Sequence, residues 1–193
     1  MLRAEQRKQA RIERRRALMI WGAVAAVVVV VIGALVWSTV AWNSNRPNLS
    51  AVQTYEVTAN HVNTPVEYEQ TPPVGGDHNP SWLNCGVYTQ PVPNEYAVHA
   101  LEHGAVWVTY QPDLPEAEVE KLRDALPSTY TLLSPFPGID APVIISAWGH
   151  QLKLENADDP RLDEFVNEYR LGPQTPEPGA ACTGGLDAPG RVA

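Results

Sequence analysis

The sequence predicts an α+β domain, a small mixed sheet with packed helices and a loop-rich N-terminal part, preceded by one transmembrane helix. Three observations predict it. A long uncharged apolar run separates a basic tail from an acidic body. Within the body, amphipathic helix-like stretches are interspersed with short β-rich apolar runs. Finally, 18 prolines in 193 residues exclude a helical bundle, because each interior proline removes a hydrogen bond and clashes with the preceding turn.

The charge is segregated. Residues 1–20 hold seven Lys/Arg and two Glu, whereas from Asn43 onward seven bases stand against twenty acids. An acidic body repels phosphates, which argues against nucleic acid as a partner. Between the two lies Leu18–Trp42, 25 residues that are apolar except for Ser38 and Thr39. About twenty such residues cross the ~30 Å hydrocarbon layer as a helix, so the lipid bilayer is the first expected partner. Trp21 at one end and Trp37 and Trp42 at the other fit interfacial aromatic belts. Arg11, Arg14, Arg15 and Arg16 precede the span, which puts residues 1–17 in the cytoplasm and the body outside the cell membrane. A cleaved signal peptide has an apolar region of only about 7–15 residues, and the best cleavage candidate here, Thr39-Val40-Ala41, is poor. A retained signal anchor is expected.

The elements then follow in order. Residues 43–53 read as a polar juxtamembrane linker and 54–171 as the extracytoplasmic domain, with 172–193 a Pro/Gly-rich tail. Thr54–Pro93 holds Pro, Gly and Asn with few extended runs, so loops are expected, with Thr71–His78 (TPPVGGDH) as a tight turn. Asn94 suits an N-cap, Glu95–His103 a helix and Gly104 its C′ stop. Ala105–Tyr110 is a buried-type strand. A second helix opens at Asp113-Leu114-Pro115-Glu116, buries Val119, Leu122 and Leu126, and ends at Pro127. Tyr130–Leu133, Val143–Trp148 and Gln151–Glu155 are strands, the second apolar enough to be central. Asp159-Pro160 starts a last helix with Leu162, Phe165, Val166 and Tyr169 on one face. This β-α-β-β-α order resembles the second half of a thioredoxin fold in topology alone, since C-x-x-C is absent. Cys85 and Cys182 are the only cysteines. Outside the cell a lone pair is most simply a disulfide, contributing ~4–5 kcal/mol on the chain-entropy model and tying the tail to the domain. A thiolate metal ligand is the alternative.

Chemistry concentrates in His99-Ala100-Leu101-Glu102-His103. At 100° per residue from Glu95, His99 falls at about 40°, Glu102 at about −20° and His103 at about 80°, so all four share one arc. Histidines at i and i+4 converge above one turn and can hold one metal ion, while the neighbouring Glu can orient a ring or accept protons. His78 closes the glycine turn just upstream, whereas His61 and His150 stand apart. The pattern predicts a metal site of His78, His99 and His103, with Glu102 or Asp77 as fourth ligand or outer support. Such donors suit zinc or copper(II), and the body has no methionine for a copper(I) relay. HALEH is also an H-x-x-E-H string, which in a metal-dependent hydrolase would make Glu102 the base. The span is short for that, so catalytic residues stay unassigned. A metal-free accessory module, docking on a membrane-protein partner through its acidic body, is the other alternative.

The motifs PPVGGDH, NCGVY and VHALEHGAVWVTY, in this order and spacing, resemble the bacterial membrane-anchored family known as domain of unknown function 3105. The likeness covers about Thr54 to Leu171. His78, His99, Glu102, His103 and Gly104 all match. The family's turn is usually PP-x-SG-x-H and reads Pro72-Pro73-Val74-Gly75-Gly76-Asp77-His78 here, without the serine hydroxyl. The resemblance implies a single-pass envelope protein and brings no activity with it.

Overall fold

The computed structural model describes residues 2–44 and 46–192, with the side chains of 2–10, 12, 17 and 42–44 outside that description. Trp42, one of the expected interfacial tryptophans, therefore lies outside the described side chains. The chain divides into two units, Met1–Arg46 and Pro47–Ala193.

The first unit is one helix, α1 (Leu2–Ser44). No proline interrupts it. Its stretch Glu13–Ala41, 29 residues, is long and apolar enough to cross a membrane, at ~1.5 Å per residue about 43 Å. Its large apolar side chains face outward, Trp21 at 71% and Trp37 at 78% exposure. The two polar side chains satisfy themselves within the helix, Ser38 Oγ donating to the Leu35 carbonyl at 2.9 Å and Thr39 Oγ1 to that of Val36 at 2.8 Å. A hydrocarbon surrounding requires such internal pairing.

The second unit is a mixed sheet between helices. Its elements are β1 (Gln53–Thr54), β2 (Gly86–Tyr88), α2 (Asn94–Glu102), β3 (Val106–Tyr110), α3 (Glu116–Ala125), β4 (Thr131–Pro135), β5 (Val143–Ala147), β6 (His150–Leu154), α4 (Arg161–Tyr169) and β7 (Arg191–Val192). The strand order is β1-β6-β5-β3-β4-β2-β7. β2, β4 and β3 run parallel, while β5 is antiparallel to β3, β6 to β5, β1 to β6 and β7 to β2.

Successive residues of β3 explain the layering, because side chains alternate across a sheet. Val106, Val108 and Tyr110 join a core with Val119 and Leu122 of α3 and Leu162, Phe165 and Val166 of α4. Trp107 turns the other way and packs with Ala97, Val98, Ala100 and Leu101 of α2. All five residues of β3 are buried, and β3 holds the middle of the sheet; β5, equally buried, lies beside it. Both faces of these inner strands are covered, hence their largely apolar runs, in which the hydroxyls of Thr109 and Ser146 are satisfied by the Ile144 carbonyl and by Gln151 Nε2.

The helix starts are one finding that differs from expectation. α2 begins at Asn94 itself, with Pro93 in the capping position and no side-chain cap bond. α3 likewise follows Pro115 without one. A proline just before a helix needs no donor there, so its preset φ takes the role expected of the polar cap. At α4 the acidic residue does act: Asp159 Oδ1 accepts from the Arg161 N–H at 3.0 Å.

Residues 172–192 lie against the body. Cys85 and Cys182 form a disulfide with Cα atoms 5.4 Å apart, and the Cys85 N–H donates to the Cys182 carbonyl at 2.7 Å. Upstream of it, the N–H groups of Glu177 and Gly179 donate to the carbonyls of Glu102 and His103, both at 3.1 Å. Those carbonyls lie at the C-terminal end of α2 and would otherwise lack partners.

Candidate metal centre

α2 carries one half of the site. His99, Glu102 and His103 are all buried although all are ionisable. The helix ends at His103 and the chain turns at Gly104, whose φ of +105° suits glycine. A Cβ there would come within 2.8 Å of Leu171 Cδ2, so the glycine both stops the helix and lets the segment after α4 close over it.

Loops carry the other half. His61 and His78 face each other across an isolated parallel bridge, in which the Val62 N–H donates to the His78 carbonyl at 2.7 Å and the His78 N–H to that of Asn60 at 2.9 Å. The TPPVGGDH turn supports this bridge. A Cβ on Gly75 would lie 2.6 Å from Val57 Cγ2, so the turn and the loop segment at Val57 approach as closely as only glycine permits. Gly149 N–H donates to the Val74 carbonyl at 2.8 Å, and the Tyr68 hydroxyl donates to that of Asp77 at 2.8 Å.

Asp77, a candidate ligand by sequence, faces elsewhere. Its Oδ1 accepts from Thr58 Oγ1 at 2.7 Å and Asn60 Nδ2 at 2.9 Å, and these bonds are the first causes holding its carboxyl below the usual range. It latches the segment that bears His61. Glu95 is also taken, its Oε1 accepting from the Val66 N–H at 3.1 Å.

The donor atoms of His61, His78, His99 and Glu102 all lie within 4.8 Å of one another. His61, which has no helical spacing to connect it, therefore joins the group. His103 borders it: its Nε2 is 2.8 Å from that of His99, and it is not part of the four-residue group. Glu177 from the tail has its Oε2 3.7 Å from His103 Nε2. His150 stays apart, its ring tilted against Tyr169 with centroids 4.6 Å apart.

Three rings are oriented in the same way. Nδ1 of His78 lies 2.7 Å from the Gly76 carbonyl, that of His99 2.6 Å from Asn79, and that of His103 2.6 Å from Ala181. A carbonyl only accepts, so each Nδ1 carries a proton and each ring turns its Nε2 inward. Two such nitrogens face each other at 2.8 Å between His99 and His103. A third faces the Glu102 carboxylate at 2.9 Å. Contacts this short between groups that can each accept are bridged by a proton, and the same geometry is one that could hold a metal ion. Burial, opposed by the Asn79 carbonyl and reinforced by His103 and His78, pushes the His99 imidazole down to about 4. A proton is therefore poorly held at His99, whereas a divalent ion satisfies several lone pairs at once. His61 differs, being 46% exposed with its Nε2 3.4 Å from Glu102 Oε2.

Fold and site together define an α+β protein with an N-terminal helix able to span a membrane, one disulfide and a His/Glu cluster, buried but for His61, of dimensions that could hold a metal ion. Residues 61–184 match the family model described as Protein of unknown function (DUF3105), and the chain belongs to that family. No curated protein and no solved structure matches it.

Proposed function

We propose that this is a single-pass membrane protein, cytoplasmic at its N-terminus, whose outer domain binds one zinc or copper(II) ion through His61, His78, His99 and Glu102, with His103 as a further nitrogen donor at the rim. The convergence of Nε2 nitrogens, each enforced by an Nδ1–carbonyl bond, carries this reading. Backbone partners of this kind fix the tautomer and orientation of metal-bound histidines. Two donors on one ion at ~2.0–2.1 Å are at most about 4.2 Å apart. The group spreads to 4.8 Å, a contraction that exposed His61 can supply. Imidazole and carboxylate suit zinc and copper(II) alike. The arginines before the span support the orientation, and the disulfide fits an oxidising compartment.

The test is metal content by mass spectrometry of the full chain in detergent, beside His78→Ala and the double variant His99→Ala/His103→Ala. About one ion per chain, lost in both variants, is expected. No ion in the wild type after loading with excess zinc and copper(II) would overturn the reading and leave the metal-free accessory module.

A further inference from the structure

A second site lies on the other face of the sheet, the one covered by α3 and α4. A cavity of about 320 Å³ opens there, lined by Tyr110, Pro112, Leu114, Glu116, Pro135 and Arg123 among others. Tyr110 and Pro135 end β3 and β4, and the lining residue Thr89 directly follows β2. The cavity thus sits outside the carboxyl ends of the three mutually parallel strands, where open α/β sheets form ligand crevices. Its size is within the range of small-molecule sites, and prolines make its walls rigid before any ligand arrives.

Its charges are unusual. Glu116, Val119 and Arg123 fall at i, i+3 and i+7, one face of α3, so two opposite charges turn to one crevice. No salt bridge among the described residues takes up either charge. The Arg123 Nε is shut off from solvent without a hydrogen-bond partner. Tyr110 lines the same crevice and its hydroxyl feels both charges, burial and Glu116 holding its proton while Arg123 opposes them.

We propose that this crevice binds a small amino-carboxylate, its carboxylate on Arg123, its ammonium group at Glu116 and its apolar body along Tyr110, Pro112, Leu114 and Pro135. A simple anion meets repulsion from Glu116 and a simple cation from Arg123; a zwitterion satisfies both. Seven residues of helix separate the two side chains by ~10 Å, shortened because the longer Arg123 side chain leans further back toward the N-terminus than that of Glu116. The ligand therefore carries its charges several bonds apart, as an ω-amino acid or a short peptide does, rather than on one carbon.

Titration calorimetry of the full chain in detergent with 6-aminohexanoate tests this. A Kd on the order of 1 mM is expected for so small a ligand. Arg123→Gln and Glu116→Gln should each weaken it about tenfold or more, the scale of one charge-assisted hydrogen bond. Hexanoate and hexylamine should each bind about tenfold more weakly than the probe for the same reason. Thermal unfolding of both variants confirms that they remain folded. No binding at tens of millimolar probe, binding unchanged by Arg123→Gln in a folded variant, or hexylamine binding as well as the probe would each overturn the proposal.

Discussion

The two halves of the histidine cluster reach the same point by different means. His99, Glu102 and His103 are placed by one helix, and the tail then caps that helix. His61 and His78 are placed by two backbone bonds between loops, with Asp77 as the latch. Helical spacing needs only local sequence. The loop half needs two segments, seventeen residues apart in sequence, to meet in one register. The helix half should therefore respond to what holds the helix end, and the loop half to what holds the bridge.

The disulfide offers the largest perturbation. Cys85→Ala/Cys182→Ala releases a link spanning 97 residues, and ~4–5 kcal/mol of stability should go with it. Chemical denaturation measures that loss. The released segment includes Ala181, whose carbonyl orients His103, and borders the Glu177 and Gly179 N–H groups that cap α2. The bridge of His61 and His78 holds no bond to it. A denaturation midpoint equal to wild type would break the assignment of the tail to the helix half.

Next come the ligands. If binding contributes ~12 kcal/mol over four donors, each buried one is worth about 3 kcal/mol, roughly 100-fold in affinity. His78→Ala should show that loss. His61→Ala should lose only about tenfold, because a water can replace a ligand that already faces solvent. Competition titration against a zinc chelator measures both. Equal losses would mean that the exposed ring is as tightly held as the buried one.

What could be read in advance follows the same division. The α2 motif, the inner strands and α3 and α4 were legible, since their periodicity is local. His99, Glu102 and His103 were legible as a cluster for that reason, and His78 through the glycine turn beside it. His61 was not, because a two-residue bridge leaves no period in the sequence. The family match, which begins at residue 61, is the one trace of it. For Asp77 the sequence leaves ligand and outer support open, because a carboxylate next to a histidine looks the same whether it binds an ion or, as here, Thr58 and Asn60. The short strands β1, β2 and β7 have two or three residues each, too few to show alternation.

Asp77→Ala probes the latch directly. It removes both bonds from Thr58 and Asn60 while leaving every donor atom of the cluster in the chain. Outer partners of metal ligands are typically worth 10–100-fold in affinity, and this one should fall near tenfold because it positions only His61. An affinity equal to wild type would show that the backbone bridge alone suffices.

The smallest effect serves as the control. Asp159 lies at the start of α4, where its carboxylate accepts from the Arg161 N–H and from the Arg161 side chain, Nε to Oδ1 at 2.9 Å. The Arg161 bonds, as the first cause, lower its carboxyl from the ordinary value of 3.8. A carboxyl depressed by folding stabilises the native state fully above its unfolded value, and that contribution is lost as pH falls through the folded one. Asp159→Asn should therefore cost ~1 kcal/mol at neutral pH, as the loss of a helix-end acceptor does, and the cost should shrink below pH ~3–4. Neither half of the cluster touches Asp159, so metal affinity should stay at the wild-type value. A parallel fall in affinity would mean that the ligands respond to global stability rather than to their own supports, and the contrast between helix half and loop half would lose its basis.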